Sequence, residues 1–261
     1  MGKKNKQDLQ ILEIKKIYPN TQDIKKLDVL GGNVHDIYVV INQNYDKFIC
    51  RFSSKSTAQH NLYASKLLTS YDINVPQISL HKTRQGYCET YPFIEGKTFY
   101  ERIKEGLSKE KQLEVYTQMF NVACKISKIP YDYKIQPPVC LTYKIAGTFF
   151  NTLNLSDFVL CHTDLHAKNV ILDDQDNLFA LLDLDSVFKE YMAFALIILI
   201  KDMQMNGCDA TEIIKLCEEK YIFPKLMGIE TQSKIYSKIK DSVKSILGDK
   251  MVKQILKIRL R

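Results

Sequence analysis

Apolar residues recur at Leu9, Ile11, Leu12, Ile14 and Ile17, a helical spacing that predicts a helix over Lys6 to Tyr18, closed by Pro19 and Asn20. The period then changes. Ile24 to Leu30, Ile37 to Ile41 (IYVVI) and Lys47 to Phe52 (KFICRF) are rich in β-branched and aromatic residues. Gly31-Gly32-Asn33 and Asn42 to Asp46 separate them with turn chemistry, which predicts an antiparallel meander. Ser56 to Tyr71 returns to a helical pattern, with Ser56 and Gln59 at capping-box spacing. Two further strand-like runs, Gln77 to His81 and Tyr87 to Ile94, complete a sequence of three strands, a helix and two strands.

At Gly96 the character changes again. Helical patterns cover Thr98 to Glu105, Lys109 to Ile129, Leu141 to Phe150, Tyr191 to Asn206 and Ala210 to Tyr221, and they surround one β-rich island, Phe158 to Val187. The expected fold is therefore α+β with two lobes. Residues 1–95 form an N-terminal lobe, an antiparallel sheet with a helix, and residues 96–261 form a mainly helical lobe carrying a β-hairpin. At 261 residues there is chain enough for two lobes with real cores.

Composition narrows the classes. Hydrophobic residues make up 45% and charged residues 26%, values of an ordinary globular protein. The formal charge is +7, but Lys is dispersed along the helical stretches, so the charge reads as a solvated surface and no nucleic-acid partner is expected. The seven Cys form no CxxC pair and several lie within apolar runs, which reads as reduced, buried thiols in a cytoplasmic protein. The N-terminal MGKKNKQDLQ has no apolar stretch of a secretory leader. The longest apolar run, Met192 to Ile200, is too short to span a bilayer.

The β island carries the chemistry. Phe158 to Cys161 reads as a strand that delivers His162, Asp164 and Asn169 into a loop, followed by a short strand at Val170 to Leu172. Asp173 to Asn177 reads as a turn, and Leu178 to Leu182 as a third strand ending in Asp183 and Asp185. A hairpin of this kind brings Asp164 and Asn169 to the end that also holds Asp183 and Asp185. Carboxylates and an amide oxygen at one strand end form a hard-oxygen site suited to Mg2+.

The spacing H-x-D-x-x-x-x-N, then a hairpin, then D-x-D resembles the catalytic segment of the aminoglycoside phosphotransferase and choline kinase superfamily, which has the protein-kinase-like fold. Leu30-Gly31-Gly32 before the IYVV strand is similar to the superfamily's nucleotide loop. Arg51 in F-I-C-R-F is similar to its phosphate-binding cation, and Tyr91-Pro92-Phe93-Ile94-Glu95-Gly96 to its lobe connector. The resemblance spans roughly Leu30 to Ile200 and implies a phosphotransferase that uses ATP or GTP with Mg2+ to phosphorylate a small-molecule hydroxyl. It implies that Asp164 takes the proton of that hydroxyl, that Asn169 and Asp183, with Asp185, hold the metal, and that Gly31, Gly32 and Arg51 meet the phosphates. Tyr91, Pro92, Phe93 and Ile94 would meet the nucleobase. His162 and His166 read as loop braces, Asp173, Asp174 and Asp176 as turn residues, and Lys168 as either an exposed residue or a phosphate contact.

Three positions depart from the superfamily's pattern. The helix after Arg51 ordinarily supplies a Glu to pair with the cation, whereas Thr57 to Tyr63 contains no acid. His35 stands where many relatives have Asn after the glycine turn. Tyr191 to Leu196 lacks the Asp that often begins the helix after D-x-D. From Ser186 onward 14 Lys and Arg face 9 Asp and Glu, a balance that argues against a polycationic aminoglycoside as acceptor. Whole-segment charge is a poor proxy for the charge of a pocket, so aminoglycosides stay open as acceptors together with sugars and choline-like amino alcohols, the last with an aromatic cage drawn from Tyr143, Phe149, Phe150, Phe188 and Tyr191. The alternatives to a small-molecule kinase are a nucleotide-binding module without turnover and a protein kinase, the latter opposed by the absence of D-F-G and A-P-E segments.

Overall fold

The computed structural model describes residues 5–27, 36–131 and 158–220. Their contacts divide into two compact units, one ending at Glu95 and the other beginning at Gly96. Gly31, Gly32, His35, the expected helix Leu141 to Phe150 and the basic tail lie outside the described residues.

The first unit opens with α1 (Lys6–Ile17), capped by the Asn5 side chain, which accepts from the Asp8 amide. Its buried face differs from the expected stripe: Gln10, Glu13 and Ile14 are buried and Leu12 is exposed. Gln10 is inside because it is satisfied there. It donates to Asp36 at 3.0 Å and accepts from the Tyr38 hydroxyl at 2.8 Å. Strands β1 (Thr21–Lys26), β2 (Asp36–Asn42), β3 (Lys47–Ser53), β4 (Ser79–Thr83) and β5 (Gly86–Pro92) form one antiparallel sheet in the order β1-β2-β3-β5-β4. β1 starts earlier than the hydrophobic pattern suggests, because the backbone of Thr21 to Lys26 is the stretch that pairs with β2.

α2 (Lys55–Ser70) crosses between β3 and β4. Its cap is Ser54, which accepts from the Thr57 amide at 3.2 Å, and Ser56 already lies within the first turn. The strand ends one residue before, so the turn into the helix falls two residues earlier than the Ser56–Gln59 spacing indicated.

Strand alternation gives β3 two distinct faces. Cys50 and Phe52 join Tyr38, Val40, Cys88 and Ile14 in an apolar core against α1, with Phe48 packed on it. Arg51 and Ser53 point the other way and are also buried. The four residues from Cys50 to Ser53 are thus buried in succession, which happens when both faces of a strand are covered.

The second unit begins where a side chain will not fit. Gly96 has φ +132°, and a Cβ there would lie 2.6 Å from the Leu172 carbonyl oxygen and 2.7 Å from the Ile171 side chain. β6 (Lys97–Thr98) follows, then α3 (Phe99–Lys104) with a Thr98–Glu101 capping box, and α4 (Lys109–Ser127). β8 (Val170–Leu172) pairs with both β6 and β9 (Leu178–Leu181) in a three-stranded sheet. β7 (Phe158–His162) instead pairs with β10 (Val187–Tyr191). The expected helix from Tyr191 therefore starts one residue later, at α5 (Met192–Met205), because Tyr191 is taken up opposite Phe158 in the ladder. α6 (Thr211–Lys220) follows. Met119, Phe120 and Ala123 of α4 and Leu196, Leu199 and Met203 of α5 are buried.

Cys50, Cys88, Cys124, Cys161 and Cys208 are free and buried. Among the described residues no helix is long and apolar enough to cross a membrane.

Candidate active site

His162 ends β7 and is fully buried. Its Nε2 lies 2.7 Å from the Leu182 carbonyl, and the Asp164 amide donates to its Nδ1 at 3.4 Å. Burial lowers its pKa, so the ring is neutral with the proton on Nε2, a brace between the loop and the end of β9. Thr163 donates to the Ser186 carbonyl through both its amide, at 2.7 Å, and its hydroxyl, at 3.0 Å. The His162–Val187 end of the β7–β10 pair is thereby continued into the loop.

Asp164 follows with 37% of its side chain exposed. Asn169 holds the far side of the loop by donating its Nδ2 to the Asp164 backbone carbonyl at 2.9 Å. That use of Nδ2 leaves Oδ1, a hard oxygen, as the atom Asn169 can offer a cation. His166 caps the 3-10 turn Ala167–Asn169, and its Nε2 lies 3.4 Å from the Asp164 carboxylate. Burial pulls the His166 pKa down, but the carboxylates of Asp164, Asp202 and Asp183 together raise it and the net shift is upward.

The register Val170↔Leu181 and the bond from the Leu182 amide to the Asn169 carbonyl, 2.9 Å, bring Asn169 beside the residue before Asp183. Asp183 is left-handed, φ 57° and ψ 59°, and immediately precedes the 3-10 turn Leu184–Ser186 without a side-chain capping bond. A left-handed Asp is strained relative to Gly but tolerated when the surroundings dictate it, and here strand β9 on one side and the Thr163–Ser186 bonds on the other do so. Asp164 and Asp183 both act electrostatically on His162 and on His166, so the two carboxylates share one neighbourhood. Asp185 lies within the 3-10 turn, partly buried. Among the described residues no three His, Cys, Asp or Glu side chains gather as a metal-binding group. Asn169, Asp183 and Asp185, the residues expected to hold the metal, comprise two carboxylates and an amide, a chemistry that suits a hard cation.

The turn residues behave as such. Asp173 accepts from the amides of Gln175 and Asn177, and Asp176, at φ 59°, pairs with Arg102. Lys168 is exposed, with its ammonium 5.0 Å from the centre of the Tyr100 ring.

Sequence reasoning missed Asp202. It lies near the end of α5, where it accepts from the Ala167 amide at 2.8 Å and the Tyr116 hydroxyl at 2.9 Å. Burial pushes its pKa up, opposed by those two bonds. The start of this helix has no acid, whereas Asp202 lies near its C-terminal end. The signal was available, since Asp202 is the one acid in the apolar helix MAFALIILIKDMQM and a buried carboxylate needs partners.

In the first unit, Arg51 is 8% exposed on β3 and stands directly opposite Glu89 of β5. Glu89 has no exposed surface. Ser53 donates to one of its oxygens, and Asn61 of α2 donates to the other at 2.9 Å. Glu89 was not among the sequence-predicted residues. Tyr91 and Pro92 close β5, and the Phe93 amide donates to the Lys47 carbonyl at 2.9 Å, extending the ladder by one bond. Lys47 also pairs with Glu95 at 2.9 Å and lies 5.5 Å from the Phe93 ring centre.

Residues 144–212 match the sequence profile of the Phosphotransferase enzyme family. The fold is that of the aminoglycoside phosphotransferases. A thermostable mutant of aminoglycoside phosphotransferase APH(4)-Ia, in a ternary complex with ADP and hygromycin B, superposes with a TM-score of 0.58 at 11% identity, over 80% of this chain and 82% of that one. Amicoumacin kinase hAmiN, in complex with AMP-PNP, Ca2+ and Ami, gives 0.58 at 10% identity, over 83% and 81%. An aminoglycoside-3'-phosphotransferase of type VIII gives 0.58 at 15% identity, over 87% and 95%. No curated protein sequence matches the chain significantly.

Proposed function

We propose that this protein is a small-molecule kinase that transfers the terminal phosphoryl group of a nucleoside triphosphate to a hydroxyl. The observation that carries the reading is the loop in which a partly exposed Asp164 is held by Asn169 and His166 beside the left-handed Asp183. Phosphoryl transfer asks little covalent work of a protein, so positioning and charge dominate. Asp164 would orient the acceptor hydroxyl and take its proton as the oxygen bonds to phosphorus and the nucleoside diphosphate leaves. Asn169 Oδ1 and the Asp183 carboxylate, with Asp185, would hold Mg2+, which supplies neutralisation of phosphate charge when bound. His162, neutral and buried, keeps the loop in place and moves no proton.

Arg51 would meet the phosphates with its planar fork, and Gly31 and Gly32 would let backbone amides approach them. Residues Tyr91 to Ile94 would meet the base. The Phe93 amide is engaged by Lys47, so this contact falls to the Ile94 amide and the neighbouring carbonyls. Residues 1–95 would thus serve the nucleotide, and residues 96–261 the metal, the acceptor and the transfer. The acceptor is a choline-like amino alcohol, an aminoglycoside or a sugar; the kinases of similar fold include ones solved with hygromycin B and with Ami.

The test is a transfer assay with Mg2+, ATP or GTP, and a pool of amino alcohols, aminoglycosides and sugars, read by mass spectrometry. A phosphorylated product that disappears in Asp164→Ala is expected. Failure of the protein to bind any Mg-nucleotide would overturn the reading, and tight binding with no product from any acceptor would favour a binding module without turnover.

A further inference from the structure

We propose that Asp202 is a positioning residue for Asp164: it fixes the backbone of the Asp164 loop through the Ala167 amide and is itself fixed by Tyr116 of α4. The inference rests on the reading of Asp164 as the group that takes the acceptor's proton. Leu165 to Lys168 separate Asp164 from Asn169, and within this stretch Leu165 and Ala167 are buried. The Lys168 amide donates to His166 Nδ1 at 3.2 Å, and the Asn169 amide to the His166 carbonyl at 2.9 Å. The Ala167 amide opens the 3-10 turn, where the turn itself offers no acceptor. Ala167 has no exposed surface, so this amide needs a partner from the protein. Asp202 Oδ2 accepts it at 2.8 Å.

That oxygen is held from α4. It also accepts from the Tyr116 hydroxyl at 2.9 Å. Tyr116 is fully buried, its ring edge-on to Phe99 with centroids 4.8 Å apart. Just past the end of α5, Asn206 donates its Nδ2 to the Tyr116 hydroxyl and to the Asp202 carbonyl, each at 2.9 Å. Lys109, at the start of α4, donates to the Asn206 carbonyl at 2.8 Å. α4 and α5 thus fix one oxygen, and that oxygen fixes the loop. Asp202 also acts electrostatically on His166, the neighbour of Ala167 whose Nε2 lies 3.4 Å from the Asp164 carboxylate.

A base must stay within hydrogen-bond reach of the proton it takes, and a displacement of about 1 Å can cost about 100-fold in rate. Asn169 has bonds of its own, to the Leu182 amide and the Asp164 carbonyl. Arg51 and residues Tyr91 to Ile94, read as the nucleotide contacts, belong to the other unit. Loss of the brace should therefore slow transfer far more than it weakens nucleotide binding.

The test uses the full chain with Asp202→Ala, Ala167→Pro and the double variant, read in two ways. Hydrogen exchange without nucleotide reports the brace whatever the activity. The Ala167 amide should exchange about tenfold faster or more in Asp202→Ala, with the ladder amides of β7 still protected. Unchanged exchange at Ala167, or equal acceleration throughout β7, would overturn the brace. Initial rates report the positioning. Asp202→Ala should lower kcat about 10- to 100-fold and leave the KM for Mg-nucleotide within about threefold of the parent. Proline removes the amide itself, and the extended His166 before it (φ −141°, ψ 169°) and the first position of the turn accommodate its backbone. Asp202→Ala should cost little further kcat in the Ala167→Pro background, and additive losses would overturn the proposal. Asp202→Asn, which keeps an acceptor oxygen, should recover part of the protection and of the kcat lost in Asp202→Ala; no recovery of either would overturn the acceptor role. If Asp202→Ala does not fold, Tyr116→Phe, which keeps the ring and removes the hydroxyl, replaces it under the same criteria. If the parent phosphorylates no acceptor, the functional reading fails on its own, and the exchange measurement still decides the brace.

Discussion

Glu89 lies under α2 with no exposed surface, its oxygens held by Ser53 and Asn61, whereas Asp164 sits in a loop with 37% of its side chain exposed and its carboxylate 3.4 Å from both His166 Nε2 and Asn169 Nδ2. The first is a carboxylate whose position is over-determined by a ladder and a helix. The second is held at its backbone by Asn169, at 2.9 Å, and more loosely at its carboxylate, which stays partly exposed. A group that positions others is buried and saturated; a group that meets a substrate is fixed at its root and left open at its tip. The two regions should therefore respond oppositely to mutation.

The largest expected effect is the contrast itself. Asp164→Ala should lower turnover by roughly 10²- to 10⁴-fold with little change in stability, since an exposed carboxylate contributes little to folding. Glu89→Leu should do the reverse, costing about 2–4 kcal/mol in urea unfolding because it leaves the buried Ser53 and Asn61 without their acceptor. Equal stability losses at both positions would dissolve the distinction. Asp202→Asn falls between them. It weakens the bonds to Ala167 and Tyr116, and should cost about 1–3 kcal/mol together with a fall in kcat larger than any change in KM, measured by unfolding and initial rates.

A smaller effect tests whether Arg51 on β3 depends on the cap of the neighbouring helix. Ser54→Ala removes the cap of α2 and should cost about 1 kcal/mol while leaving Mg-nucleotide affinity near the parent value. A large loss of affinity would mean that α2, and not the sheet, holds Arg51 in place.

The smallest effect sets a baseline for an ordinary carboxylate. Hydrogen bonds from Lys26 and then Lys6 hold the Asp36 carboxyl well below its usual range. A depressed folded pKa contributes stability above the unfolded value, about 4, and loses it as pH falls through the folded one. Parent and Asp36→Asn should therefore differ by about 1 kcal/mol above pH 5 and converge in acid, since Lys6 is largely exposed and the pair is partly screened. The measurement is urea unfolding from pH 7 down to pH 2.

The chain's own pattern was enough for the α+β class, for most strands of the first sheet, and for the H-x-D-x-x-x-x-N and D-x-D segments. These are local properties. Strand period, turn chemistry and a short hairpin place Asn169 and Asp183 near each other with few residues between. Glu89 and Asp202 were not legible in that way. Glu89 owes its burial and its bonds to Ser53 and Asn61 to β5 inserting beside β3 and not beside β4 alone. Asp202 owes its role to α5 packing so that its later turns reach the Ala167 amide. Both are charges whose partners lie far along the chain. Spacing within a segment specifies which face a residue is on, but only the packing of separate elements decides which group on another face it meets, and a buried charge is defined by that meeting.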